Sequence, residues 1–396
     1  MDRKLTTILL QFDFSKAFDT ISPTKLLHKL KDLMFSRAVL LWIQSYITDR
    51  SQCVIFNSFS SETRGTNLGV PQGSVLGPLL FCLYINDLRH LLNIPKILRL
   101  QYADDLQIYI QVLLNQLQEG LDAITAAAMQ VAAWASVNRL RLNASKTKAI
   151  IFGSSHTVKQ VKAMNLLGIS LGDEDIPFSD EVISLGVVLQ NTLSWKSQIA
   201  SISRKVNRAL FGLRFIRACT TQALRKTLVE TLVVPHLDYC SVVYLDLPFC
   251  LKIQLQRLAN RAVRYVFNLR MNTRVTPYRC QLRWLRTDTR REYFMGLTIY
   301  KLMQLRQPNY LLQLFTRYES SRPSRGLLKD LRIPHVTSEM RRTSFQVQSA
   351  RLSTFCNAFL LRVRWLRMNY IEHVGLTPRR LAAESRTYFT SILTFI

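Results

Sequence analysis

Arg99-Leu-Gln-Tyr-Ala-Asp-Asp-Leu-Gln-Ile-Tyr-Ile110 is an apolar run interrupted at its middle by two adjacent acids. It reads as two short strands joined by a tight turn at Ala103-Asp104-Asp105, a place where Asp is favoured for local reasons. Working outward, Ile8-Leu-Leu-Gln-Phe-Asp13 is another apolar strand, and it also ends on an acid. A buried sheet has no reason to carry three carboxylates at its strand ends unless something cationic neutralises them. A pair of divalent metal ions does this, and Mg²⁺ takes a few carboxylates with water and phosphate as its remaining ligands. Taken alone, an Asp-Asp turn is a weak signal for metal.

Around these strands the first half of the chain alternates strand-like and helix-like segments, a mixed α/β pattern. Ser22-Pro23 is a helix start, with Ser as cap and Pro in the first turn, and Leu26, Leu27, Leu30 and Leu33 follow at helical spacing. A helix is expected over Arg37–Ile47 and a short strand at Cys53–Phe56, followed by a loop rich in Ser, Thr, Gly and Asn. Gly69-Val-Pro-Gln-Gly-Ser-Val-Leu-Gly-Pro78 is a glycine-rich loop that leads into a helix running through Asp87. It permits close backbone approach to a ligand, and Gln72 offers both a donor and an acceptor. No Gly-Lys-Ser/Thr comes after it, so it is not a Walker phosphate loop. A long Ala-rich helix reaches Val137, and Lys148–Phe152 returns as a strand. From Trp195 onward the pattern is helical, over Lys196–Ala218, Gln222–Val233, Phe249–Asn268 and Arg290–Gln304. Glu319–Arg342 reads as an Arg-rich loop or linker, with a last helix from near Phe345.

Hydrophobic residues are 48% and charged ones 20% of the 396, the composition of a folded protein. The net charge is +27, and residues 250–396 hold 27 Lys and Arg against 7 Asp and Glu. That basic region, mostly Arg, is suited to phosphate contacts and favours a nucleic-acid partner over a plain solvated surface. No membrane partner is expected, because the apolar stretch around Leu228–Leu251 is broken by Glu230, His236, Asp238, Asp246 and two prolines. The seven cysteines (Cys53, Cys82, Cys219, Cys240, Cys250, Cys280 and Cys356) lack zinc-site spacing and read as reduced thiols of an intracellular protein. The six histidines form no cluster.

Taken in order, these segments resemble one family. Phe12-Asp-Phe-Ser-Lys-Ala-Phe-Asp19 is similar to the first palm motif of reverse transcriptases, Gly69–Pro78 to the second and Tyr102-Ala-Asp-Asp105 to the third. Trp134, Asn138–Asn143 and Lys146-Thr147 resemble the fourth as it occurs in non-LTR elements. Leu185-Gly-Val-Val-Leu189 with Leu193-Ser-Trp195 resembles the primer-grip hairpin. Pro235-His-Leu-Asp-Tyr-Cys240, Leu255–Ala262 and Arg322-Pro-Ser-Arg325 carry the resemblance on to jockey-like elements of the LINE type.

The resemblance implies an α+β fold: a right-hand polymerase palm, with an antiparallel sheet packed on helices, then a mostly helical thumb. It places the palm with its primer-grip hairpin in residues 1–194, the thumb and connection in 195–318, and a basic C-terminal region in 319–396. The implied activity is RNA-directed DNA polymerisation, the two-metal transfer of deoxynucleotides to a primer 3′-hydroxyl. Asp13 and Asp104 would hold two Mg²⁺ ions, with Mn²⁺ as a substitute, and Asp105 would support that cluster. Phe18 would exclude a 2′-hydroxyl; its plainer reading is core packing, and the two roles are compatible. Gln72 and Gly73 would line the nucleotide and template side, and Tyr102 would pack near the primer end. Lys146 would protonate the pyrophosphate leaving group, against the plainer reading of an exposed lysine at a helix end. Asp19 would only support the strand-to-helix turn. Implied partners are an RNA template, a DNA primer or target and dNTPs, in the nucleus or cytoplasm; the oligomeric state stays open. Only twelve residues precede Asp13, so fingers and endonuclease are expected to be missing. Little activity is then expected of this chain alone, and an apolar palm face should lie uncovered. The competing reading is a relic of such an element that binds nucleic acid without catalysis.

Overall fold

The computed structural model describes residues 5–315, apart from 93, 167 and 173, together with Gln348. The expected linker over 319–342, the expected helix from near Phe345 and the rest of the C-terminal region lie outside the described residues but for that one position. The described residues divide into two compact units, one running to Val182 and the other beginning at Ile183.

The first unit is built on a four-stranded antiparallel sheet of β1 (Leu5–Phe12), β2 (Ile97–Tyr102), β3 (Asp105–Leu113) and β4 (Lys148–Phe152), in the order β4-β1-β3-β2. β1 is paired along both edges, and Ile8, Leu9 and Leu10, which point alternately to its two faces, are each fully buried. This explains why it reads as a continuous apolar run rather than an alternating one. Helix α1 (Pro23–Asp32) starts where the sequence says it should, with the Ser22 hydroxyl accepting from the Lys25 amide and Leu26 and Leu30 turned inward. Helix α2 (Arg37–Ile47) has the expected bounds, and Ser36 caps it in the same way. The helix opened by Gly77-Pro78, α3 (Gly77–Tyr84), stops short of Asp87, and a separate turn of helix covers Leu88–Leu91.

The Ala-rich helix α4 (Leu117–Val137) lies against the sheet. Its small residues are what allow this: a Cβ on Gly120 would stand 3.0 Å from both Ile8 Cδ1 and Val112 Cγ1. Ala127, Ala128 and Val131 continue the same fully buried stripe.

Between α2 and the glycine-rich loop the outcome differs from the expected single strand at Cys53–Phe56. Arg50–Gln52 pairs with Arg64–Thr66, and Ile55–Phe56 turns back on Phe59–Ser60. The break falls at Val54, whose amide donates to the Ser61 hydroxyl, and Asn57 takes the left-handed conformation that closes the inner turn. Val54, Ile55, Phe56 and Phe59 are exposed on these hairpins, as are Leu41 and Trp42 on α2.

The second unit is mainly helical. It contains α5 (Lys196–Phe215), α6 (Gln222–Leu232), α7 (Phe249–Phe267) and α8 (Thr287–Leu305), each within a few residues of its expected span. Short helices at Val234–Asp238 and Thr276–Gln281 were not legible in the pattern. Helices α5, α6 and α7 share a core of Ile199, Ile202, Val206, Val229, Leu255 and Leu258. The segment around Asp238-Tyr239 ties this unit together. Asp238 makes a two-pronged ion pair with Arg290 on α8, and the Tyr239 hydroxyl donates to the Leu185 carbonyl in the turn before Val187–Gln190. Among the described residues, no helix is long and apolar enough to cross a membrane.

Candidate functional site

The pairing register decides where the acids fall. Phe12 pairs with Leu106, and one step further along both chains stand Asp13 and Asp105. Tyr102 pairs with Asp105, so Ala103 and Asp104 are the turn itself, with Ala103 in the left-handed conformation. Asp13 comes directly after the last residue of β1, and its neighbours Phe12 and Phe14 are buried in the core. Asp13, Asp104 and Asp105 are thus gathered at one end of the sheet, each half-buried.

Their electrostatics agree with the register. The Asp105 carboxyl is pushed above the ordinary carboxylate range, first by burial and then by the charges of Asp104 and Asp13. Lys146 is the cation placed beside them, with Nζ 4.0 Å from Asp13 Oδ2, and it is largely exposed. A tight turn brings it there: the Asn143 amide donates to the Asp13 carbonyl at 2.8 Å, and the Thr147 hydroxyl reaches back to the Asn143 carbonyl at 2.8 Å. The Asp13 amide points at that same Thr147 hydroxyl, at 3.4 Å.

Among the described residues no three His, Cys, Asp or Glu side chains close into a ready-made metal cage. The donor set is nevertheless suited to a hard divalent cation. Mg²⁺ needs only one or two carboxylates with water and phosphate, and mutually repelling carboxylates with one exposed lysine nearby would be relieved by such a charge.

A second cluster adjoins the loop Gly69–Pro78. Gly69 is left-handed (φ 84°), and a Cβ there would lie 2.9 Å from Asp19 Cα and 3.0 Å from the Phe18 and Asp19 carbonyl oxygens. Only glycine fits. The loop is stitched down by Gly69 N–H donating to the Ile21 carbonyl and Val70 N–H to the Phe18 carbonyl, at 2.8 and 2.9 Å. Gln72 Nε2 donates to Asp19 Oδ1 at 2.7 Å, a contact that gives Asp19 a task the sequence reading did not give it. Gly73, also left-handed, is exposed, and a Cβ there would meet nothing within 4 Å. Phe18 packs on Phe81 of α3 with ring centroids 4.6 Å apart. Next to Phe81, the Cys82 thiol is raised by burial and by the charge of Asp104.

Residues 1–171 match the family described as reverse transcriptase (RNA-dependent DNA polymerase). Over those residues the chain is similar to a reverse transcriptase domain. It is 25% identical over 257 residues to the RNA-directed DNA polymerase from mobile element jockey of Drosophila melanogaster, covering 62% of this chain and 26% of that protein. It is 30% identical over 211 residues to the probable RNA-directed DNA polymerase from transposon BS of the same species, covering 52% of this chain and 22% of that one. The resemblance to LINE-type elements drawn from the motifs is borne out by these relatives, of whose length the chain spans about a quarter. Among solved structures, the chain resembles apo telomerase from Candida tropicalis at 11% identity and a TM-score of 0.38, over 78% of this chain and 52% of that one. A likeness that loose carries no weight here.

Proposed function

We propose that the chain houses the catalytic site for RNA-templated deoxynucleotide transfer, and the observation that carries this is the register placing Asp13 beside Asp105, with Asp104 at the adjoining turn. In that reaction the primer 3′-oxygen attacks the α-phosphorus of a deoxynucleoside triphosphate. The new P–O bond forms as the bond to pyrophosphate breaks, and the 3′-hydroxyl proton passes from the attacking oxygen to solvent water. Asp13 and Asp104 are the residues that would hold two Mg²⁺ ions, with Asp105 supporting them. Bound there, the ions would supply the positive charge that stabilises both the entering and the leaving oxygen.

The chain's own groups would do the rest by positioning. Phe18, braced by Phe81, would present a rigid ring where a ribose 2′-hydroxyl would sit. Gln72 and Gly73 would line the nucleotide and template side, and Tyr102, paired with Asp105, would pack near the primer end. Lys146, already near Asp13, would give a proton to the departing pyrophosphate. In this reading residues 1–194 act as palm, with Leu185-Gly-Val-Val-Leu189 and Leu193-Ser-Trp195 as primer grip. Residues 195–318 act as thumb, holding the RNA–DNA duplex by its backbone, and the basic C-terminal residues 319–396 add sequence-independent affinity. The workplace would be the nucleus or cytoplasm, where RNA template and DNA primer are both available.

The test is incorporation of deoxynucleotides on a primed RNA template with Mg²⁺, comparing the chain with Asp104→Asn. Incorporation that the variant loses supports the reading. The strong basic excess of residues 250–396 favours one rival, binding without catalysis. Salt-sensitive template binding that is unchanged in Asp104→Asn, with no incorporation by either protein, would establish that rival instead.

A further inference from the structure

Asp19 stands six residues beyond Asp13, at the end of the single turn of 3-10 helix Ala17–Asp19. That turn is closed without its carboxylate. The Asp19 amide donates to the Lys16 carbonyl at 2.9 Å, and the Thr20 hydroxyl donates to the Ala17 carbonyl at 3.2 Å. The carboxylate instead reaches across to the neighbouring loop and accepts from Gln72 Nε2 at 2.7 Å.

Three features make this contact more than a chance surface pair. The backbones beneath it are fixed, since Gly69 packs directly on the Asp19 α-carbon and its loop is hydrogen-bonded to Ile21 and Phe18. Donor and anchor therefore cannot drift apart without unseating the loop. Second, Gln72 is exposed and carries a long side chain that would otherwise sample many rotamers. A charge-assisted hydrogen bond orders it before any ligand arrives. Third, the bond has one polarity. A carboxylate has no hydrogen to give, so Gln72 must turn its NH₂ towards Asp19, which leaves the amide oxygen and one N–H free.

We propose that Asp19 is a positioning residue of the nucleotide site, whose carboxylate holds Gln72 in a single orientation ready for the incoming deoxynucleotide. This rests on the reading of Gln72 as a nucleotide-lining residue. Asp19 itself touches neither substrate nor metal. Its effect passes through Gln72, so removing both side chains should cost no more than removing Gln72 alone.

The experiment is a double-mutant cycle on the full chain with a primed RNA template, Mg²⁺ and a fluorescent deoxynucleotide, reading the equilibrium Kd. Asp19→Ala is expected to raise Kd about fivefold, which corresponds to about 1 kcal/mol for one ordered hydrogen bond. Gln72→Ala should raise it by at least as much, and the double variant should match Gln72→Ala. Asp19→Asn keeps an oxygen acceptor and should stay within about twofold of the parent. In single-turnover incorporation KM should move more than kcat, because the reacting atoms are untouched. Asp19 is exposed, so the alanine variant is expected to fold; circular dichroism checks this, and Gln72→Ala reads the same contact from its other end. An unaltered Kd in Asp19→Ala, or effects of the two single variants that multiply, would overturn the proposal while leaving the nucleotide site standing. A parent chain that binds no deoxynucleotide would overturn the nucleotide site and the role of Asp19 together.

Discussion

Replacing Gly69 by alanine should destabilise the first unit far more than the same change at its two glycine neighbours in the chain. At φ 84° an alanine pays about 1 kcal/mol of left-handed strain. Its Cβ would also meet Asp19 Cα at 2.9 Å and two backbone carbonyl oxygens at 3.0 Å, none of which can swing aside as a side-chain tip would. Relief requires lifting the loop, which weakens the Gly69–Ile21 and Val70–Phe18 hydrogen bonds at roughly 1 kcal/mol each. The sum is about 3 kcal/mol, or roughly 6–12 °C in Tm for a unit of this size. Gly73→Ala keeps the strain (φ 77°) but meets nothing within 4 Å, so about 1 kcal/mol and roughly 2–4 °C are expected. Gly65 has neither problem, and its alanine variant should stay within about 2 °C of the parent. Differential scanning calorimetry of the three variants, tracking the transition that shifts, gives the order directly. A Gly69→Ala protein no less stable than Gly73→Ala would refute the close approach of this loop to Asp19.

Two further outcomes concern groups near and away from the site. Asp105 binds its proton more tightly when folded than when unfolded, so its ionisation removes stability as pH rises from the ordinary carboxylate range through the raised value. Asp105→Asn should therefore have the higher Tm at neutral pH without divalent metal, and the gain should vanish below about pH 4; an asparagine variant less stable than the parent at neutral pH would contradict this. Burial pushes the Cys240 thiol up to about 11. In native protein at mildly alkaline pH, iodoacetamide should modify exposed Cys53 and Cys250 while sparing Cys240, which reacts only once urea is added; peptide mass spectrometry showing equal rates would count against the buried position.

Much of this protein is legible before folding because the deciding signals are local. Ser22-Pro23 stops and starts the chain through its own capping bond, and the period of Leu26 and Leu30 needs only a helix to point both inward. The Asp-Asp turn can be read between two apolar runs, since a strand ended by acids is a local contradiction that demands an explanation. What no local rule supplies is a contact between distant residues. Asp13 comes to lie beside Asp105 because Phe12 pairs with Leu106, a register between strands almost a hundred residues apart in the chain. Lys146 reaches Asp13 because the Asn143 amide finds the Asp13 carbonyl. That two small hairpins stand where a single strand over Cys53–Phe56 was expected turns on Val54 and Ser61, a hydrogen bond that composition does not announce. Asp19 reads as part of its own turn, whereas the folded chain sets its carboxylate against Gln72 across a loop that only glycine allows to approach. The sequence by itself settled which residue types stand at strand ends, caps and turns. The tertiary structure decided which of them meet, because pairing register and backbone packing are properties of the whole sheet and its covering helices.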